Sequence, residues 1–209
     1  MKVEIKKTNR INVLLICLGI SILTAFFLLI LIVLFSLIAI PESNWSMTVN
    51  LTLPTFLALY LIPRFCVFFL STNKNDFNMS TRTATSYFVF LSLFSFFLLM
   101  YAHFFGDQFD NKAVLISLII HFLVVSIGEE YIYRNLILNT LRRNYNNFLS
   151  IMISALMFAF VLHSNEDFSI NLLVRFPLGI LFGLIAVKTK DIKNSVLAHT
   201  IYNLLLIAS

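Results

Sequence analysis

Long apolar runs separated by short polar loops dominate the chain. The runs lie at 11–40, 51–71, 84–105, 113–141, 148–163, 169–187 and 192–208. A membrane-spanning helix needs about 20 apolar residues, and backbone that faces lipid must satisfy its own hydrogen bonds, so each run predicts a helix. Continuous rather than alternating runs exclude a membrane β-barrel. The pattern predicts an all-α, polytopic integral membrane bundle of about seven transmembrane helices. Six to eight are compatible with it, because two prolines and Arg64 interrupt the second run and the fifth run is short.

Basic and acidic loops alternate between these runs. The N-terminus and loops 72–83, 142–147 and 188–193 are basic, and loops 41–50, 106–112 and 164–168 are mainly acidic. Cytoplasmic loops are enriched in Lys and Arg, so the N-terminus is expected in the cytoplasm and the C-terminus outside. We therefore expect a multi-pass protein of the cell membrane, in contact with membrane lipids and formed by a single domain over residues 1–209.

The composition supports a membrane location. Of the 209 residues, 59% are hydrophobic and 12% charged, against roughly 45–50% and about 25% in soluble domains. Too little polar surface is available to cover the apolar residues, which excludes a water-soluble globular domain. The net charge of +5 comes from basic residues between the runs, so no nucleic-acid partner is expected. Cys17 and Cys66 lie inside runs and predict neither a disulfide nor a metal framework.

Charged residues inside the apolar runs are candidates for function. The fourth run contains Glu129, Glu130 and Arg134. Each unpaired charge at depth costs about 2.5–3.5 kcal/mol, so these residues must face the bundle interior and find partners. Glu130 and Arg134 are four residues apart and predict an ion pair on one helical face, whereas Glu129 points about 100° away and stays available. Arg175, in the sixth run, is expected to snorkel or to pair with an acidic residue of the 164–168 loop, without a chemical role.

Two later runs add imidazoles and an amide. His163 ends the fifth run, and His199 and Asn203 lie four residues apart in the seventh. A carboxylate can take a proton from water, and imidazoles can orient that water, bind a divalent ion or donate to an oxyanion, as an amide also can. These groups suit hydrolysis of an amide bond by an activated water. At about 1.5 Å of rise per residue, Glu129, His163 and His199 can converge inside the membrane, with His199 the shallowest.

Two motifs on separate late helices carry a family resemblance. The fourth run reads Glu129-Glu130-x-x-x-Arg134, and the seventh reads His199-x-x-x-Asn203. These spacings, in this order, resemble two of the three motifs of the CPBP intramembrane proteases, also called the type II CAAX prenyl endopeptidase or Abi family.

The remaining family motif, Phe-x-x-x-His, is altered. His163 is present, but Ala159 stands four residues before it, and the nearby phenylalanines are Phe158 and Phe160. On an α-helix a slip of one residue would leave a Phe near the site but on a different face. The resemblance covers roughly 113–209 as a four-helix catalytic core. It leaves 1–112 as a variable N-terminal part of three helices.

The resemblance implies a role for each motif residue. It implies Glu129 as the base that activates water, Glu130 and Arg134 as its support, His163 as a positioner of water or of a metal, and His199 with Asn203 as an oxyanion site. A divalent ion such as zinc, if one is used, would be held by His163, His199 and Glu129. A glutamate that binds a metal could not easily also serve as the free base, so metal-free catalysis without a cofactor is expected.

The resemblance implies an intramembrane endopeptidase that acts on a peptide or membrane-protein substrate. Frequent Lys, Asn, Ile and Phe are typical of an AT-rich bacterial genome, and bacterial relatives are associated with peptide or protein processing and bacteriocin self-immunity. One alternative is a non-catalytic membrane scaffold or immunity protein of the same fold, which the altered motif favours. A more remote alternative is a small ion transporter, since intramembrane charges also mark ion pathways, although the internal repeats usual in transporters are absent from the sequence.

Overall fold

A computed structural model describes residues 9–37, 46, 48–65, 97–98, 100–101 and 112–206. Its helices are α1 Arg10–Leu37, α2 Val49–Phe65, α3 Ala113–Leu141, α4 Asn147–Leu162, α5 Phe168–Thr189 and α6 Lys193–Leu206. No strand occurs within these ranges, so the predicted all-α class is confirmed for them. Six of the seven predicted runs coincide with helices. The run at 84–105 lies mostly outside the described residues.

The helices have the length and surface of membrane helices. Among those that the structure describes, α1, α3 and α5 are long and apolar enough to cross a membrane, whereas α2 and α4 are shorter apolar helices. Large apolar side chains such as Leu15, Phe26 and Leu173 are exposed. Faces of this kind suit lipid and would be unfavourable in water. The protein is a helical membrane protein, and the count of seven spans stays a prediction.

α1 turns its small and polar residues inward. Its buried side chains are Val13, Cys17, Ser21 and Thr24, which recur at helical spacing. The Ser21 hydroxyl is hydrogen-bonded to the Tyr133 hydroxyl of α3 at 2.8 Å. Because lipid offers no hydrogen-bond partners, polar groups of membrane helices are satisfied against neighbouring helices. α1 therefore packs against the part of α3 that follows the two glutamates.

The middle of α3 lies at the centre of the described bundle. All eight residues of Tyr131–Leu138 are buried. Gly128 comes directly before this part of the helix and the glutamates, and a Cβ atom there would collide with the Cβ of Leu59 in α2. Glycine at this position thus permits a close approach of α2 to α3. The packing of α2 on α3 helps to fix the height of the glutamates in the bundle.

Small residues also bring α4 and α5 together. Gly179 and Gly183 are four residues apart on α5, and added Cβ atoms would lie 3.0 Å from the side chains of Ala155 and Ile151 in α4. Small residues at this spacing are typical of close contacts between membrane helices. α6 packs against both α3 and α5. Helices α3, α4 and α6, which carry the predicted site residues, are thereby held in one cluster.

Wider π-type turns, in which hydrogen bonds reach five residues back, lie close to the predicted site residues. One such segment, Tyr131–Leu138, contains Arg134, and a second, Phe158–Leu162, ends directly before His163. A third, Asn171–Arg175, lies in the first half of α5. Single π-turns inside α-helices occur frequently at functional sites. They shift the register of side chains by about one residue, which simple α-helical spacing does not anticipate.

Candidate catalytic site

Glu129 of α3, His163 directly after α4 and His199 of α6 come together. Glu129 Oε2 lies 3.8 Å from His163 Nε2 and 3.6 Å from His199 Nε2. Glu129 and His199 are buried, whereas the side chain of His163 is 17% exposed. Both separations exceed a direct hydrogen bond, and Glu129 Oε2 has no hydrogen-bond partner among the residues described. The predicted convergence is present, and a separation of this size suits a bridging water.

Glu130 has the opposite environment. Its Oε2 lies 3.1 Å from Arg134 Nε, which is the ion pair that the spacing predicts. Its Oε1 lies 3.1 Å from His199 Nδ1, and the Ser195 hydroxyl donates to Oε2. A carboxylate paired with arginine only accepts hydrogen bonds, so His199 must carry a proton on Nδ1. Glu130 thereby fixes the orientation of His199, with Nε2 directed toward Glu129.

Arg134 is buried between aromatic rings. Its guanidinium carbon lies 5.2 Å from the centroid of Phe158 and 6.0 Å from that of Phe182, and its Nη1 donates to Ser154 Oγ at 3.4 Å. Ring faces attract cations, and this attraction is strongest away from water. The Phe182 ring also stacks on His199, with centroids 4.7 Å apart. The aromatic rings therefore connect the ion pair to the imidazole.

Phe158 lies near the site, as expected, but on the face of the two histidines rather than on a different face. Its ring makes edge contacts with both imidazoles, with centroids 5.1 Å from His163 and 6.0 Å from His199. The π-type turn over Phe158–Leu162 is the reason, because it brings residues five apart onto one face. α-helical spacing would place Phe158 on a different face from His163, and the wider turn brings the two residues back onto one face. A Phe thus contacts the motif histidine although Ala159 occupies the family position.

Asn203 is the predicted site residue that stands apart from this cluster. It lies one turn beyond His199 on α6, and its amide donates to Ser126 Oγ at 3.4 Å. Ser126 lies three residues before Glu129 on α3. The amide is therefore near the carboxylate along the helix axis, but the contacts of the described residues link it to Ser126. Its oxyanion role stays a prediction.

One family model matches the part of the chain that contains this site. The model of the type II CAAX prenyl endopeptidase Rce1-like family matches residues 111–205. These residues, just under half of the chain, are similar to the Rce1-like family. It is a protease family, and the matched segment contains the predicted site residues Glu129, Glu130, Arg134, His163, His199 and Asn203. Comparisons with curated proteins and with solved structures give no match.

Two polar residues of the Rce1-like segment join the site without belonging to any motif. Ser195 is fully buried, and its single O–H donates to Glu130, while the Phe182 carbonyl oxygen lies 3.2 Å from the same hydroxyl oxygen. Its position four residues before His199, on the same helical face, was a usable signal. Arg175 pairs with Glu166 at 2.8 Å, as the sequence analysis expects. Its Nη1 also lies 3.4 Å from His163 Nε2, and no local sequence pattern predicts this contact.

The possible metal ligands of the Rce1-like segment do not form a metal site as they stand. Across the described part of the chain, no group of three or more His, Cys, Asp or Glu side chains is placed to hold a metal ion. Arg175 also places a cation 3.4 Å from His163 Nε2, the nitrogen that would bind the ion. A divalent ion and a guanidinium at this nitrogen would repel each other. The arrangement gives no support to zinc held by His163, His199 and Glu129, and metal-free catalysis stays a prediction.

Proposed function

We propose that the protein is an intramembrane endopeptidase in which Glu129 activates water to hydrolyse a peptide bond. The observation that carries the proposal is the environment of Glu129 Oε2. This buried oxygen has no hydrogen-bond partner in the described structure, and two imidazole nitrogens face it at 3.6 and 3.8 Å. Similarity to a protease family over residues 111–205 supports the reaction class. The substrate is a peptide or a membrane protein segment that reaches this depth.

In the proposed reaction, Glu129 takes a proton from water while the water oxygen bonds to the carbonyl carbon. The π electrons of the C=O bond move to its oxygen, which becomes the oxyanion, and donors in a site from which water is largely excluded stabilise this charge. Asn203 and His199 are the proposed donors, with His199 donating from an Nε2 proton in addition to the Nδ1 proton that Glu130 accepts. His163 positions the water. When the tetrahedral intermediate collapses, the C–N bond breaks and Glu129 returns its proton to the leaving amine. The products are a carboxylic acid and an amine, and transfer of the acid's proton to the amine gives a carboxylate and an ammonium group.

Glu130 and Arg134 support this reaction without contacting the substrate. Glu130 accepts from His199 Nδ1 at 3.1 Å, which directs the other ring nitrogen at Glu129. Arg134 keeps the Glu130 carboxylate ionised inside the bundle by pairing with it at 3.1 Å. A preorganised imidazole needs no reorientation when charge develops, and this lowers the barrier.

We place the protein in a bacterial cell membrane, with a cytoplasmic N-terminus and an external C-terminus. The alternation of basic and acidic loops supports this orientation. Peptide or protein processing and bacteriocin self-immunity are the proposed roles. The altered Phe motif was the reason to consider a non-catalytic scaffold. The contact of Phe158 with both imidazoles makes that reason weaker.

The test compares cells that produce wild-type protein with cells that produce Glu129→Gln at the same level. This change keeps the shape of the side chain and removes the base. Mass spectrometry of membrane-associated peptides and protein termini reads the outcome, and Glu42→Gln, the same chemical change in a predicted loop, is the control. Fragments present with wild type and Glu42→Gln but missing with Glu129→Gln are expected. Identical profiles from all three, with the variant folded, would favour the scaffold.

A further inference from the structure

His163 needs support from outside its own helix. The residue follows the last turn of α4 with φ −101° and ψ 34°, so it no longer has helical geometry. Its ring is partly exposed at the edge of the site. A catalytic group in such a position is held only as precisely as its neighbours hold it, and a displacement of about 1 Å can cost about 10²-fold in rate.

One π-type turn of α5 supplies that support. The segment Asn171–Arg175 places two side chains against His163. Buried Asn171 donates from Nδ2 to the His163 carbonyl at 2.8 Å, and Arg175 Nη1 lies 3.4 Å from the ring nitrogen Nε2. Residues 171 and 175 thus hold the backbone and the imidazole of the same histidine. Arg175 is in turn fixed by Glu166, whose Oε1 accepts from Nη2 at 2.8 Å.

The chemistry of arginine decides which ring nitrogen of His163 is protonated. A guanidinium has donors and no acceptor, so a hydrogen bond from Arg175 requires a lone pair on Nε2 and a proton on Nδ1. Glu129 Oε2 would favour the opposite tautomer, but it is farther away, at 3.8 Å against 3.4 Å. At 3.4 Å the contact with Arg175 is long for a hydrogen bond, so the lone pair can still be shared with a water O–H.

We propose that Arg175 is a positioning residue that fixes His163 as a hydrogen-bond acceptor for the hydrolytic water. Glu166 holds the guanidinium, and Asn171 holds the backbone of the histidine. The water then donates one hydrogen to His163 Nε2 and the other to Glu129 Oε2, which directs an oxygen lone pair toward the carbonyl carbon. This inference rests on the proposed function, but it makes a statement about His163 that is measurable without a substrate.

The test reads the tautomer of His163 directly. The chain has four histidines, so long-range ¹H–¹⁵N spectra of full-length, histidine-labelled protein in detergent micelles, with a chelator present, are simple to assign. The signal that disappears in His163→Gln identifies the residue. The wild type is expected to show the Nδ1–H tautomer. Arg175→Gln is expected to shift His163 toward the Nε2–H form, and Arg175→Lys, which keeps a cation, to restore the wild-type form in part.

Matched controls separate this effect from a general loss of structure. Arg142 is exposed and bonded to Asn147, so Arg142→Gln should leave all histidine signals unchanged. In Arg175→Gln the Nδ1–H signal of His199 should persist, because Glu130 fixes it independently. Peptide processing should fall by up to about 10²-fold in Arg175→Gln.

Two results would overturn the proposal. One is a wild-type His163 with its proton on Nε2. The other is an unchanged tautomer in folded Arg175→Gln, with the His199 signal intact. Either result would leave the role of Glu129 untouched, and a failed Glu129→Gln test would leave the tautomer result standing.

Discussion

Glu129 and Glu130 are neighbours in sequence and opposites in structure. Both are buried in α3, but Glu130 is ion-paired with Arg134 and accepts from His199 and Ser195, whereas Glu129 Oε2 has no hydrogen bond in the described structure. The rotation of about 100° between adjacent helix positions separates them. A buried carboxylate with all its partners is a structural support, and one with an unpartnered oxygen retains capacity to bind and deprotonate a water. The difference lies in the donors that surround each group.

The largest expected effect on activity comes from removing the carboxylate of Glu129, which has an oxygen without a hydrogen-bond partner in the described structure. Glu129→Gln should reduce peptide processing by about 10²- to 10⁴-fold, the range typical of a lost general base. Its thermal unfolding in detergent should stay close to that of wild type, because no direct hydrogen bond to Oε2 is lost. Processing is followed by mass spectrometry of fragment accumulation. A strongly destabilised variant would show that Glu129 is a structural residue like its neighbour.

Removing the charge of Glu130, the carboxylate with three partners among the described residues, should reduce stability instead. Glu130→Gln leaves Arg134 buried without its counter-ion, which costs about 3–5 kcal/mol for a buried pair. A marked fall in the unfolding temperature in detergent is the measurement. Glu166→Gln breaks a partly exposed ion pair, with the two side chains 25% and 36% exposed, and should cost about 0–1 kcal/mol. Equal losses of stability in Glu130→Gln and Glu166→Gln would contradict the difference between a buried ion pair and a partly exposed one.

Ser195 allows a smaller test of the environment of Glu130, through a single hydrogen bond. Ser195→Ala removes a hydrogen bond to the Glu130 carboxylate, and bonds to charged groups contribute about 1.5–3 kcal/mol. Ser150 is also fully buried but donates to the Asn146 carbonyl at 2.8 Å. Ser150→Ala should therefore cost less, about 0.5–1.5 kcal/mol. The difference between the two unfolding free energies measures the contribution of the charge, and it should vanish if Glu130 is neutral.

The sequence predicted the parts of this site that depend on helical spacing. The pairing of Glu130 with Arg134 and the freedom of Glu129 follow from positions on one α-helix. The depth of each residue along its helix allows His163 and His199 to converge on Glu129, with His199 the shallowest. These features need no knowledge of how the helices are packed beyond the requirement that charges face inward.

The remaining parts depend on tertiary geometry. Phe158 contacts the histidines because a π-type turn widens the end of α4, and α-helical spacing places it elsewhere. The contact of Arg175 with His163 joins two helices across their packing interface. The pairing of Arg175 with Glu166 was predictable, because the two residues are close along the chain. Its contact with His163 depends on how α5 packs against α4.

The smallest expected effect is that of metal removal. Dialysis of purified protein against a chelator should leave processing of the cleaved peptide unchanged, because the proposed base is a free Glu129 and a guanidinium lies 3.4 Å from His163 Nε2. Arg142→Gln, measured in parallel, gives the variation between preparations. Loss of activity that zinc restores would assign His163, His199 and Glu129 as ligands. In that case the unpartnered oxygen of Glu129 would be a metal-binding atom, and the two carboxylates would differ as ligand and ligand support rather than as base and support.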